Sequence, residues 1–302
     1  MASVEQSLVE SGAERISNRV SHELAVLLRQ AAIVRASSDP DAIHDLRVAS
    51  RRLRAGVALF APILPRKRQN KAEKSLRKVT KALGTPREWD VHAEQLRQVY
   101  RAAEDALERA AIEVMLDSVD ARREELRIVL FEKLDALSFE AVRSAVDAVL
   151  VPIAACEEES LRAFAGPLLR ETATLAFDGL EELQAVEQPE ALHEMRIRVK
   201  KLRYTLEFLE PLFRNGSASD LRKRAKSLQD ALGLHHDRFV LAALVEKRRN
   251  DLSARGRVTL TQGLAQVVDR LQRGQRECYE TFRKESTDWP LDRWLSELDD
   301  RF

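Results

Sequence analysis

The sequence is poor in the residues on which sheets and disulfide frameworks depend. Aromatic residues make up 5% of its 302 positions, with 10 glycines, 9 prolines and 2 cysteines. Sheet proteins usually use more aromatic and turn-forming residues. Cys156 and Cys278 stand too far apart in sequence to suggest a disulfide framework or a metal site. No apolar run could span a bilayer and no signal peptide is recognisable, so we expect a cytoplasmic protein without a membrane partner.

Residues that favour helices are abundant instead. Ala, Leu, Arg and Glu dominate, 44% of the residues are hydrophobic and 33% are charged, which favours an all-α protein. Gly84 and Gly233 are expected to end helices, and residues 138–152 are expected to join two halves. The other expected features are a first helix over about 4–36, a cap at Asp39 or Asp41, and breaks near Pro62, Pro65, Gln188-Pro189 and 215–217.

Positive charge is concentrated in two short segments. From His44 to Lys81 there are 12 Lys/Arg against 2 Asp/Glu, and from His193 to Lys226 there are 10 against 4. The whole chain has 50 against 49, so the remainder has 28 against 43, a net charge of −15. Segregation of this kind creates a local positive potential that the net charge of +1 conceals.

The two basic segments are copies of one pattern. AIHDLRVASRRLRAGVALFAPIL begins at Ala42, and ALHEMRIRVKKLRYTLEFLEPLF begins at Ala191, 149 residues later. We therefore predict one domain over 1–302 with repeats at about 1–148 and 149–302, built as two tandem antiparallel helical bundles of about four to five helices each and related by a pseudo-twofold axis. The same offset relates Leu83-Gly84 to Leu232-Gly233 and Arg87-Glu88 to His236-Asp237.

Both copies place histidine and cations on one helical stripe, opposite an apolar stripe suited to a bundle core. Like charges at these spacings destabilise a helix unless an anion neutralises them. Arginine forks bind phosphate oxygens in pairs of hydrogen bonds, lysine adds mobile charge, and histidine can donate a hydrogen bond. The predicted anion-binding residues are His44, Arg47, Arg51, Arg52 and Arg54 in the first copy and His193, Arg196, Lys200, Lys201 and Arg203 in the second.

The helix after each histidine helix adds further cations. In the first half it carries lysines at i, i+3, i+7 and i+10, whereas in the second half aspartates occupy the first and last of these positions. A solvated face or pairing with acidic helices is the ordinary explanation for one such stripe, but duplication favours a shared anion site. The cations concerned are Lys71, Lys74, Lys78 and Lys81 in the first half and Lys223 and Lys226 in the second.

Two other possible functions are nucleic-acid binding and phosphoryl transfer. Nucleic-acid binders interleave cations with stacking aromatics, and the basic stripes contain none, so nucleic acid is disfavoured. A phosphotransferase using phosphohistidine would need carboxylates facing the phosphates to hold Mg²⁺, and none is expected between the cations. We expect no enzyme, metal or cofactor. The remaining histidines, His236 included, are expected to be structural or surface residues, and Arg87 could form a local ion pair with Asp90.

The motifs IHDLRVASRRLR and LHEMRIRVKKLRY, with LGTPREWDV and LGLHHDRFV downstream, resemble the CHAD family, the conserved histidine α-helical domains. The resemblance extends over nearly the whole chain. It implies a central basic groove that binds inorganic polyphosphate, association with polyphosphate granules, and sulfate or phosphate ions at the site in crystals. The ExExK-type motif of the triphosphate-tunnel domain often fused to this family is not found, which argues against phosphohydrolase activity.

Overall fold

The computed structural model describes residues 10–37, 40–185, 187–214 and 218–302. Every regular element in these ranges is helical, which confirms the predicted all-α class. Asp39, the start of the first predicted helix and the break at 215–217 lie outside the described residues. The α-helices are α1 (Gly12–Ser37), α2 (Pro40–Leu59), α3 (Arg66–Ala82), α4 (Gly84–Ala102), α5 (Ala106–Asp135), α6 (Phe139–Ala154), α7 (Glu158–Ala176), α8 (Leu180–Ala185), α9 (Pro189–Leu209), α10 (Ser219–Ala254), α11 (Val258–Asp288) and α12 (Leu291–Arg301).

The repeat recurs in the order of the helices. The two histidine helices, α2 and α9, begin at Pro40 and Pro189, which are 149 residues apart. Proline suits the first turn of a helix because the amide hydrogen it lacks would have no partner there. Each histidine helix ends in a 3-10 turn, at Ala61–Ile63 and Glu210–Leu212, again 149 residues apart. The antiparallel helices that follow keep the same order in both halves.

One of the two glycines expected to end helices lies at a helix boundary, and the other lies inside a helix. α3 ends at Ala82 and α4 begins at Gly84, whereas α10 runs through Gly233 without a break, so the predicted stop at Gly233 is wrong. Among the described residues the glycines with positive φ are Gly179 and Gly256. A Cβ at Gly233 would stand 3.4 Å from Nε of Arg196 on α9, which is an ordinary van der Waals distance.

The stretch expected to join the halves is instead a helix of the first half. Ser138 caps α6 by accepting a hydrogen bond from the amide of Ala141 at 3.1 Å. The buried face of α6 includes Val142, Val146 and Val149, and the helix packs on α1 and α3. The periodic apolar face explains this packing. The connection between the halves is the short turn between Ala154 and Glu158.

Two hydrophobic cores hold the helices together, and each draws on both halves. The larger core involves α1–α3, α6, α7, α9 and α12, and the smaller one lies among α4, α5, α10 and α11. At the centre of the larger core α2 approaches α9 closely, because Gly56 leaves space for the ring of Phe208. This contact brings the outer stripes of the two histidine helices together. Within the described ranges, no helix is long and apolar enough to cross a membrane.

Candidate functional site

A cavity of about 390 Å³ lies between α2, α4, α9 and α10, where the two halves meet. Most of its lining consists of positions related by the offset of 149 residues, so the pseudo-twofold axis runs through it. We call this space the central cavity. Its lining residues are His44, Arg47, Val48, Arg51, Arg87, Glu88, Val91, His92, Arg196, His236, Asp237 and Val240.

Arg47 and Arg196 are equivalent arginines on opposite walls of the central cavity. Nη1 of Arg47 donates to the carbonyl oxygens of Leu83 and Gly84, at the junction of α3 and α4, at 3.2 and 3.3 Å. Nε of Arg196 is buried without a hydrogen-bond partner among the described residues. Burial lowers the pKa of both guanidinium groups, but arginine stays charged at neutral pH.

Lys200 is the most perturbed cation of the predicted site. Burial, followed by the charges of neighbouring arginines, lowers its pKa to about 7; these arginines are, in order of importance, Arg51, Arg196, Arg47 and Arg203. Arg51 belongs to α2 and Lys200 to α9, so the two cationic stripes face each other across the contact between these helices. The amine is therefore poised to gain a proton when an anion enters.

His44 and His236 line the central cavity, and His193 stacks on His236 beside it. The rings of His193 and His236 lie 4.0 Å apart between centroids. Burial, followed by the charge of His193, lowers the pKa of His236 to about 4, and burial also lowers the pKa of His44 and His193. Neutral imidazole can still donate one hydrogen bond to an anion. His236, which the sequence suggested is a structural or surface residue, lines the cavity.

Two carboxylates also line the central cavity, contrary to the expectation that none stands between the cations. Glu88 and Asp237 occupy equivalent positions on α4 and α10. Burial raises the pKa of Asp237, although Arg196 and Arg87 oppose this effect. The helical wheel of α2 and α9 could not show them because both belong to other helices. The expected pair of Arg87 with Asp90 is also wrong, since Asp90 pairs with Arg123 at 2.8 Å.

Several predicted residues have partners outside the cavity. Arg52 pairs with Glu23 at 3.2 Å and Glu207 at 3.3 Å, so it ties α2 to α1 and α9. Arg203 donates to Gln229 at 2.9 Å and lies over the ring of Tyr204. These contacts give Arg52 and Arg203 structural roles beside the site.

The remaining predicted cations lie farther out. Arg54 is half-buried, and its Nε has no hydrogen-bond partner among the described residues. Lys201 is exposed, as are Lys71, Lys74, Lys78 and Lys81 on α3. Lys223 pairs with Asp220 at 3.8 Å and Lys226 pairs with Asp230.

Four cavity residues that were not predicted lie at positions related by the repeat. The offset aligns Arg87-Glu88 with His236-Asp237, and all four line the central cavity. His92, one turn further along α4, is buried in its wall. In the described part of the chain, no group of three His, Cys, Asp or Glu side chains is arranged to hold a metal ion.

Fold and site together define an all-α protein with an internal helical repeat and a cationic cavity between its halves. The family model of the CHAD domain matches residues 18–246. The chain therefore belongs to the CHAD domain family.

Relatives and solved structures are similar over most of the chain. Two proteins of Mycobacterium tuberculosis, the uncharacterized proteins MT2285 (strain CDC 1551 / Oshkosh) and Rv2226 (strain ATCC 25618 / H37Rv), are each 24% identical over 282 residues, covering 90% of this chain and 53% of the relative. The chain thus spans about half the length of these curated relatives.

Two solved structures share the fold. The crystal structure of the CHAD domain from the plant Ricinus communis has a TM-score of 0.62 at 20% identity, covering 87% of this chain and 91% of that one. PptA from Streptomyces chartreusis has a TM-score of 0.62 at 16% identity, covering 91% and 99%. At these identities the likeness concerns the fold alone.

Proposed function

We propose that the protein binds inorganic polyphosphate, without turning it over, through the central cavity and the cations around it. The observation that carries the proposal is the convergence of Arg47 and Arg51 from α2 with Arg196 and Lys200 from α9. Because the two helices belong to different repeats, the cluster exists only in the folded domain.

Electrostatics supports a polyanion as the ligand. Four cations held close together repel one another, and burial increases the cost because less water screens them. The lowered pKa of Lys200 is consistent with this repulsion between cations. A chain of phosphates offers repeated negative charge, and guanidinium groups bind its oxygens with charge-assisted hydrogen bonds. We therefore expect the ligand to relieve a repulsion that the free protein carries.

The carboxylates of the central cavity do not by themselves favour catalysis. Glu88 is exposed, whereas Asp237 is half-buried among arginines, and we infer that they balance the charge of the free site. Incubating purified protein with long-chain polyphosphate and Mg²⁺ tests this reading. We expect no release of phosphate, and sustained release by the protein would identify it as an enzyme instead.

Nucleic acid is the second candidate polyanion. Among the residues lining the central cavity there is no Phe, Tyr or Trp to stack on a base, and stacking contributes much of the affinity of single-strand binders. A competition experiment separates the two ligands. We expect polyphosphate to displace a labelled oligonucleotide, and the opposite order of preference would favour nucleic acid.

A charge-reversal variant tests the site directly. Arg51→Glu combined with Lys200→Glu places two acids in the cluster, and we expect polyphosphate binding to be lost while the circular dichroism spectrum stays helical. The matched control reverses Arg122 and Arg143, which are exposed and paired with Glu125 and Glu140. Equal binding by the cavity variant and the control would contradict the proposal. Co-localisation with polyphosphate granules in cells would extend it to the cellular setting.

A further inference from the structure

α3 carries an unusual excess of positive charge. Residues 66–82 contain eight Lys/Arg and one acid, Glu73. Glu73 accepts a hydrogen bond from Gln69 at 2.9 Å, within the same helix. Lys71, Lys74, Lys78 and Lys81, which we call the α3 lysine row, are all exposed, and none takes part in an ion pair among the described residues. The row therefore has no protein partner to neutralise it there.

The α3 lysine row begins at the edge of the central cavity. Lys81 stands two residues before Leu83, whose carbonyl oxygen accepts a hydrogen bond from the cavity residue Arg47. Leu76 and Val79 are buried on the opposite side of the helix, where α3 packs on α2 and α6. From residue 81 back to residue 71 the row runs about 15 Å, given the helical rise per residue. It thus extends the positive surface of the cavity in one direction.

The equivalent segment of the second half is neutralised. Asp220 and Asp230 occupy the positions that correspond to Lys71 and Lys81. They pair with Lys223 at 3.8 Å and with Lys226, respectively. The other arginines of this segment are also engaged, since Arg222 pairs with Glu210 at 2.7 Å and Arg224 lies 3.6 Å from the ring centre of Trp289.

We propose that a bound polyanion too long for the central cavity extends from it along α3 and not along the start of α10. This inference rests on the proposed function and adds a direction and a length preference to it. A short polyanion is held by the cavity alone, whereas a longer one also contacts the α3 lysine row. The row is therefore a subsite for long chains only, placed on one side of an otherwise symmetric fold.

The repeat supplies a matched pair of variants. Lys74→Gln with Arg77→Gln removes from α3 two cations that form no ion pair with the described residues. Lys223→Gln with Lys226→Gln removes the two equivalent cations from α10. Binding of tripolyphosphate and of long-chain polyphosphate is measured for both variants, for the quadruple variant of the α3 lysine row to Gln, and for the unchanged protein. Thermal unfolding confirms that each variant is folded.

We expect the quadruple variant to bind tripolyphosphate like the unchanged protein but to lose about tenfold or more of its affinity for long chains. Its slope of log K against log salt should become less steep by about 3, at about 0.7 per lost contact. The α10 pair of substitutions should lower the affinity for long chains less than the pair on α3, because Lys223 and Lys226 already pair with Asp220 and Asp230. Long-chain affinity unchanged in the quadruple variant, or an equal loss in the two paired variants, would overturn the inference. Failure of the unchanged protein to bind either ligand would overturn the proposed function as well.

Discussion

The imidazole rings of His193 and His236 lie against each other, with centroids 4.0 Å apart and planes inclined by 32°. In the first half the equivalent positions hold His44 and Arg87, and the charge of Arg87 lowers the pKa of His44 after burial does. His236 is neutral at physiological pH because its pKa is about 4. The two ends of the central cavity are therefore chemically different, although the repeat relates them.

This difference predicts opposite effects for two reciprocal substitutions. His236→Arg adds a permanent cation to the cavity, and we expect polyphosphate affinity to rise by about tenfold or more, since one hydrogen bond to a charged group contributes about 1.5–3 kcal/mol. Arg87→His removes a cation and should lower the affinity by a similar factor. Isothermal titration calorimetry at one ionic strength measures both. Affinity changes of the same sign would contradict the assignment of Arg87 and His236 to the ligand site.

The lowered pKa of Lys200 predicts that polyphosphate affinity depends on pH. Its pKa of about 7 in the free protein means that the amine loses its proton as the pH rises through neutrality, and only the protonated amine attracts the anion. Polyphosphate affinity should therefore fall between pH 6 and pH 8.5. Lys200→Arg keeps the charge at every pH in this range and should flatten the profile. A profile that is equally steep in this variant would assign the effect to other groups.

The lowered pKa of Lys200 should also make the free energy of unfolding depend on pH. The pKa of Lys200 is about 7 when folded and 10.5 as its ordinary value, so the unfolded chain binds more protons between these two pH values. The free energy of unfolding should then rise with pH across that window. Lys200→Met should raise it by about 0.5–2 kcal/mol near pH 7, as measured by urea unfolding, and should reduce its dependence on pH. A destabilised variant would contradict this account.

Asp237 is expected to oppose ligand binding. It is the half-buried carboxylate among the arginines of the central cavity, and an incoming phosphate must compete with it. Asp237→Asn should raise polyphosphate affinity by about tenfold, which corresponds to about 1.4 kcal/mol. It should also raise the stability of the ligand-free protein near pH 7, because burial penalises the ionised carboxylate more than the arginines favour it. Glu88→Gln, at the exposed equivalent position, should have a smaller effect on both. Weaker binding in Asp237→Asn would instead point to a direct role in holding the ligand.

The all-α class could be predicted from the sequence because helical patterns are local, and here they occur twice. The apolar stripes of the histidine helices and the prolines at their starts recur at a fixed offset, and the structure has both helices at matching positions. The pairing of Lys223 and Lys226 with aspartates three and four residues away could also have been read from helical spacing.

The composition of the central cavity could not be predicted from one helix at a time. Glu88 and Asp237 face Arg47 and Arg196 only because α4 and α10 pack beside α2 and α9. Whether the predicted cations bind phosphate stays a prediction.

The salt dependence of polyphosphate binding tests the central claim most directly. If about eight cations contact phosphates, log K against log salt should have a slope near −6, at roughly 0.7 per contact. The measurement needs only the unchanged protein, long-chain polyphosphate and a series of salt concentrations at fixed pH. A slope near −6 is the result we predict. A slope near −1 would show that one cation at most meets the ligand and would contradict a shared site between the repeats.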